Sequence, residues 1–145
     1  MTMKKTIFLT FALLSISLGF SQKFVVDGIE YEVTSSSPAE VKTTMYYLTD
    51  KEVSIPTIVN NEGITYSVTS IGDWSFRTKF ITAVTIPNSI INIGEYSFAS
   101  NALTSVSIPD SVTNIEEGAF QGNNLTSVII PDNITSIKEN VFRNN

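Results

Sequence analysis

The sequence predicts a solenoid built mostly from short β-strands, coil stacked on coil, and three observations carry that prediction. A unit recurs every 22 residues, marked by Pro87, Pro109 and Pro131. Each unit holds apolar residues in the same columns before its proline: Ile81, Leu103 and Leu125, then Val84, Val106 and Val128, then Ile86, Ile108 and Ile130. The columns resume after it with Ile90, Val112 and Ile134, then Ile93, Ile115 and Ile137, then Phe98, Phe120 and Phe142. Units of identical apolar spacing fold alike and bury the same side chains against their neighbours, which no single unit could do alone.

Taken in chain order, the first 21 residues stand apart from the rest. Lys4 and Lys5 precede an uncharged apolar stretch from Ile7 to Phe20, and Gly19 and Ser21 supply small residues before a cut after Ser21. This is the pattern of a secretory signal peptide. The stretch is shorter than the ~20 apolar residues of a spanning helix, so no membrane insertion is expected once residues 1–21 are removed. Residues 22–47 are expected to cap the open end of the first coil. Within them Phe24 to Val26 and Ile29 to Val33 flank Asp27 and Gly28, which reads as a two-residue β-hairpin. The segment Gly28 to Ser35 is echoed by Gly63 to Ser70, with matching Gly, Ile, Tyr, Val, Thr and Ser.

Residues 48–145 hold the repeats, divided into a degenerate unit 48–80 and full units 81–102, 103–124 and 125–145. In the degenerate unit Val53, Ile55 and Pro56 fill the strand columns, and Ile71 and Phe76 fill the later ones after an insertion of nine residues that carries a turn signal at Asn60 to Gly63. In a full unit the run Leu103 to Ile108 reads as a strand ended by Pro109, which has no N–H for the ladder. Asp110 and Ser111 turn the chain, and Val112 to Ile115 form a second extended piece. Glu116 to Phe120 then read as one helical or 3₁₀ turn that places Phe120 in the core.

Composition narrows the chemistry. Nine Lys and Arg face fourteen Asp and Glu, and loss of Lys4 and Lys5 with the leader takes the net charge from −5 to −7. Such a surface repels nucleic acid and anionic membrane. The chain has no His and no Cys, which excludes disulfides, nucleophile–imidazole pairs and the usual zinc sites. No enzyme activity and no cofactor are expected. Asp73, Glu95, Glu117 and Glu139 share one column, eight places after the proline once the insertion is allowed for. Stacked at about 4.8 Å per coil, they would suit a carbohydrate-active enzyme or a cation site. The simpler reading sets each acid at the start of a short helical turn, whose dipole favours negative charge. Asn101, Asn123 and Asn145 form another column, read as bonding the backbone of the adjoining coil.

The unit Leu-x-x-Val-x-Ile-Pro-x-x-Val-x-x-Ile-x-x-x-Ala-Phe resembles the BspA-type leucine-rich repeat of bacterial surface proteins over residues 48–145. That family's unit commonly has a cysteine three residues after the phenylalanine, where this chain has Asn101, Asn123 and Asn145. The resemblance implies a right-handed leucine-rich-repeat solenoid with parallel strands on its concave face, and a secreted or cell-surface location. For some members it implies adhesion to a protein ligand on host, matrix or neighbouring cell. The alternative is a structural envelope or matrix component without a discrete ligand.

Two surfaces are candidates for binding. Ala83 and Thr85, Ser105 and Ser107, and Ser127 and Ile129 should point outward from successive strands as a strip of small side chains. Trp74 and Tyr96 occupy equivalent places nine residues after the proline, followed by Gly118 and Asn140, and a stacked aromatic pair could grip a partner. Leu125, Val128 and Ile130 belong to a coil with no successor, so self-association through this C-terminal edge is also expected.

Overall fold

In the computed structural model of the protein, residues 22–145 are described. The signal-peptide reading of residues 1–21 lies outside them. Runs of β-branched and aromatic residues pair as strands, and no helix forms among the described residues. The elements are β1 (Lys23–Val26), β2 (Ile29–Ser36), β3 (Ala39–Tyr46), β4 (Glu52–Ser54), β5 (Ile58–Asn61), β6 (Ile64–Ile71), β7 (Ala83–Thr85), β8 (Asn92–Ile93), β9 (Val106–Ser107), β10 (Asn114–Ile115) and β11 (Val128–Ile129).

The echo between Gly28–Ser35 and Gly63–Ser70 is a pair of hairpins. β1 meets β2 across Asp27 and Gly28, and β5 meets β6 across Glu62 and Gly63. All four turn residues have positive φ (47°, 76°, 50° and 83°), the geometry whose twist suits a two-residue hairpin. The matching tyrosines, Tyr31 and Tyr66, are buried, and the ring of Phe24 lies 5.7 Å from one and 5.4 Å from the other. β2 pairs antiparallel with β3, and β3 then runs parallel to β6, which continues to β8 and β10. One sheet therefore joins the N-terminal segment to the coils. Its inward column, Ile71, Ile93 and Ile115, is buried.

A second face of the coil is made by β4 with β7 and by β9 with β11, all parallel. β7 and β9 are neighbours, but the ladder does not cross between them. These strands are shorter than the run Leu103 to Ile108 suggested, since only Val106 and Ser107 pair.

The third face corrects the expected helical turn. Ser97 and Ala99 donate their N–H groups to Gly94 and Tyr96 oxygens at 3.3 and 3.1 Å, closing two linked turns. The alternate amides, Tyr96, Phe98 and Ser100, donate instead to Glu117, Ala119 and Gln121 of the next coil at 3.0, 2.9 and 2.8 Å. A helix needs every amide along its own axis. Sending every second one to the neighbouring coil leaves turns and a backbone ladder. The third residue of the first turn has positive φ in each coil: Trp74 62°, Tyr96 47°, Gly118 61° and Asn140 58°. The acid column therefore sits at no helix N-terminus.

The core is a ladder of rings. Phe76, Phe98 and Phe120 are fully buried, and the ring centroids are 5.2 Å apart from Phe76 to Phe98, 5.4 Å from Phe98 to Phe120 and 5.8 Å from Phe120 to Phe142, with planes within 12°. Tyr46 of β3 continues the ladder at 5.5 Å from Phe76. Beside it runs the asparagine column, which bonds the backbone as expected. The amide nitrogen of Asn123 donates to Phe98 and Phe120 oxygens, both at 3.0 Å, and its oxygen accepts from Leu103 N–H at 3.1 Å. Asn101 and Asn145 repeat the pattern one coil away on either side. The last coil departs from its columns. Ile137 is 47% exposed, Ile134 and Phe142 are half-buried, and no strand matches β8 and β10, because this coil is packed from one side only.

Candidate functional site

The short strands β4, β7, β9 and β11 place the predicted strip as the sequence alternation required. Val53, Val84, Val106 and Val128 point inward, while Ala83, Thr85, Ser105, Ser107, Ser127 and Ile129 are exposed, Ile129 at 85%. The register pairs Ile129 with Ser107, and Glu52 and Ser54 with Ala83 and Thr85. Glu52 and Ser54 thus belong to the strip and were missed, although their signal was available in the match of Val53 to the valine column. Among the described residues the hydroxyls of Ser54, Thr85, Ser105, Ser107 and Ser127 have no hydrogen-bond partner, whereas Thr82, Ser111 and Thr113 use theirs on the neighbouring coil's backbone. A depression of about 290 Å³ opens between β4 and β7, lined by Glu52, Val53, Ser54, Ala83 and Thr85.

The aromatic pair lies on a different face, where the linked turns run. Trp74 and Tyr96 stack at 4.8 Å, and the Arg77 guanidinium sits 4.5 Å from the Trp74 ring centroid. The Tyr96 ring lies over Gly118, where a Cβ would come within 2.3 Å of it. Its hydroxyl donates to Glu117 at 3.0 Å, and that bond holds the phenol above its ordinary pKa. Both residues occupy the left-handed region, which disfavours bulky side chains and suits the Gly118 and Asn140 of later coils. Tyr96 is therefore fastened on several sides. Trp74 remains 43% exposed. Arg77 was not foreseen as part of this cluster.

Two of the four acids in the column, Asp73 and Glu117, bond to neighbouring coils. Asp73 accepts the backbone N–H of Glu95 at 2.9 Å, and Glu117 accepts from Tyr96 and, at 3.4 Å, from the Asn140 side chain. Next to the column, Glu116 is lowered below the usual carboxylate range by its hydrogen bond from Lys138 and a second from Asn114. Among the described residues no group of His, Cys, Asp and Glu is arranged to hold a metal ion, and no helix is long and apolar enough to cross a membrane.

Residues 51–145 match, in six copies, the family described as BspA type leucine rich repeat region. A leucine-rich repeat protein from Bacteroides capillosus ATCC 29799 is similar in structure, with 30% identity, a TM-score of 0.72, and coverage of 80% of this chain and 87% of that one. A leucine-rich repeat protein from Bacteroides ovatus ATCC 8483 aligns at 23% identity and a TM-score of 0.41, over 83% of this chain and 44% of its own. A leucine rich cell surface protein from Faecalibacterium prausnitzii A2-165 aligns at 14% identity and a TM-score of 0.36, over 74% of this chain and 54% of its own. No curated protein matches the chain.

Proposed function

The chain belongs to the BspA-type leucine-rich-repeat family, and from that premise we propose that it is an exported or cell-surface binding module whose ligand is a protein of a host, a matrix or a neighbouring cell. The strip on β4, β7, β9 and β11 is its binding face. The observation that carries this reading is the row of unpartnered hydroxyls at Ser54, Thr85, Ser105, Ser107 and Ser127. Small side chains let a partner approach the sheet closely, and each free hydroxyl can give and take a hydrogen bond. Exposed Ile129 adds an apolar anchor at one end.

A second reading places the contact at Trp74, since a bulky residue held at positive φ is the kind of strain that accompanies function. Beads coated with the chain and tested for adhesion to matrix-coated and cell-coated surfaces separate the two. Ser107→Arg with Ser127→Arg is expected to abolish adhesion without lowering the melting temperature, while Trp74→Ala leaves it intact. The reverse result would move the site to the aromatic pair. Undiminished adhesion in both variants would favour a structural component without a discrete ligand.

A further inference from the structure

The column that packs Ile81, Leu103 and Leu125 into the core has an acid at its first place. The register of β4 with β7, Val53 opposite Val84, sets Asp50 opposite Ile81. Ile81 and Leu103 are fully buried and Leu125 nearly so, whereas Asp50 is exposed. Beside Asp50, between the first coil and the β1–β2 hairpin, lies a pocket of about 410 Å³, within the ~300–1,000 Å³ of small-ligand sites. Its floor is apolar, made by Ile29, Tyr31, Tyr46, Val53 and Val59, all buried. Leu48 forms a wall, seated against Gly28 so closely that a Cβ there would lie 2.2 Å from its Cγ. The rim carries Asp27, Asp50 and Glu52, all exposed, with no lysine or arginine in the lining and no ion pair to any of the three among the described residues. The hydroxyl of Tyr46 donates to the backbone oxygen of Asp50 at 3.4 Å, which anchors the segment at the pocket edge.

An apolar pocket ringed by unpaired carboxylates has one complementary kind of side chain, an apolar stem ending in a cation. We propose that this pocket receives a lysine or arginine of the protein partner, its methylenes packing on the apolar floor and its charged head meeting Asp50 with Asp27 and Glu52. The slot lies at the β4 end of the strip, sharing Glu52, Val53 and Ser54 with the depression between β4 and β7. Only the identity of the occupant as part of a protein rests on the binding function proposed above.

The test is an NMR titration of the chain with the peptide acetyl-Gly-Val-Arg-Val-Gly-amide and with its citrulline counterpart, which keeps the shape and removes the charge. The arginine peptide is expected to shift Tyr46, Val53 and Val59 saturably, and the citrulline peptide to bind about tenfold more weakly or worse, as loss of a charge-assisted hydrogen bond requires. Asp50→Leu removes a carboxylate of the rim and puts an aliphatic side chain in its place. It is expected to abolish peptide binding with the melting temperature unchanged or raised, so that lost binding is not mistaken for lost folding. Equal affinity for the two peptides, undiminished binding by Asp50→Leu, or no saturable shift at those three residues would overturn the proposal. Adhesion of the Ser107→Arg and Ser127→Arg variant is measured in parallel. Its loss alongside an inert pocket overturns the slot alone, whereas a peptide-binding pocket in a chain whose adhesion no variant alters upholds the slot and overturns the strip.

Discussion

Asn123 shows how this fold satisfies a buried side-chain amide. A buried amide is costly unless its donors and acceptor are paired, and here two carbonyls and one N–H from successive coils satisfy it. Phe120 beside it is enclosed by Phe98 and Phe142. Phe120→Ala is therefore expected to cost about 3–5 kcal/mol. Glu117→Ala, which loses only partly exposed hydrogen bonds, is expected to cost under about 1 kcal/mol. Urea unfolding of the two variants checks this, and the opposite order would mean that the inward and outward columns are misassigned. At this scale the sequence was highly legible, because an identical column in successive units leaves a side chain one environment. Ile137 is the exception. Its column points inward only where another coil lies on the far side, and that is a property of the neighbours rather than of the residue.

The linked turns of the third face were the least legible element. Glu116 to Phe120 has the length of a single helical turn, and nothing local forbids one. The backbone ladder to the next coil decides otherwise, and it exists only once the coils stack. The trace it leaves in sequence is the column Trp74, Tyr96, Gly118, Asn140, of which the last two suit a left-handed conformation. The hairpins, by contrast, were readable from the two glycines of the echo. These cases make a paired prediction. Gly63→Ala meets no atom within 4 Å and bears only the backbone strain, about 1 kcal/mol, while Gly118→Ala also drives a Cβ into the Tyr96 ring and should cost about 2 kcal/mol or more. Thermal unfolding distinguishes them. Equal losses would mean that the Tyr96 ring is free to swing away, and that the aromatic stack is not held in place.

For the whole molecule, stacking turns a sequence period into surfaces. Matching columns become the phenylalanine and asparagine ladders, and a column of small residues becomes the strip along β4, β7, β9 and β11. The strip was legible from alternation around the valine column. The pocket was not, because its lining joins the β1–β2 hairpin, β4 and β5, which only the folded chain brings together. The most direct test of the strip as the binding face is a cross-saturation NMR measurement on the deuterated chain bound to a protonated protein that it captures from matrix or cell surfaces. Saturating the partner is predicted to attenuate Thr85, Ser105, Ser107, Ser127 and Ile129. Attenuation confined to Trp74, Arg77 and Tyr96, or to β8 and β10, would contradict it.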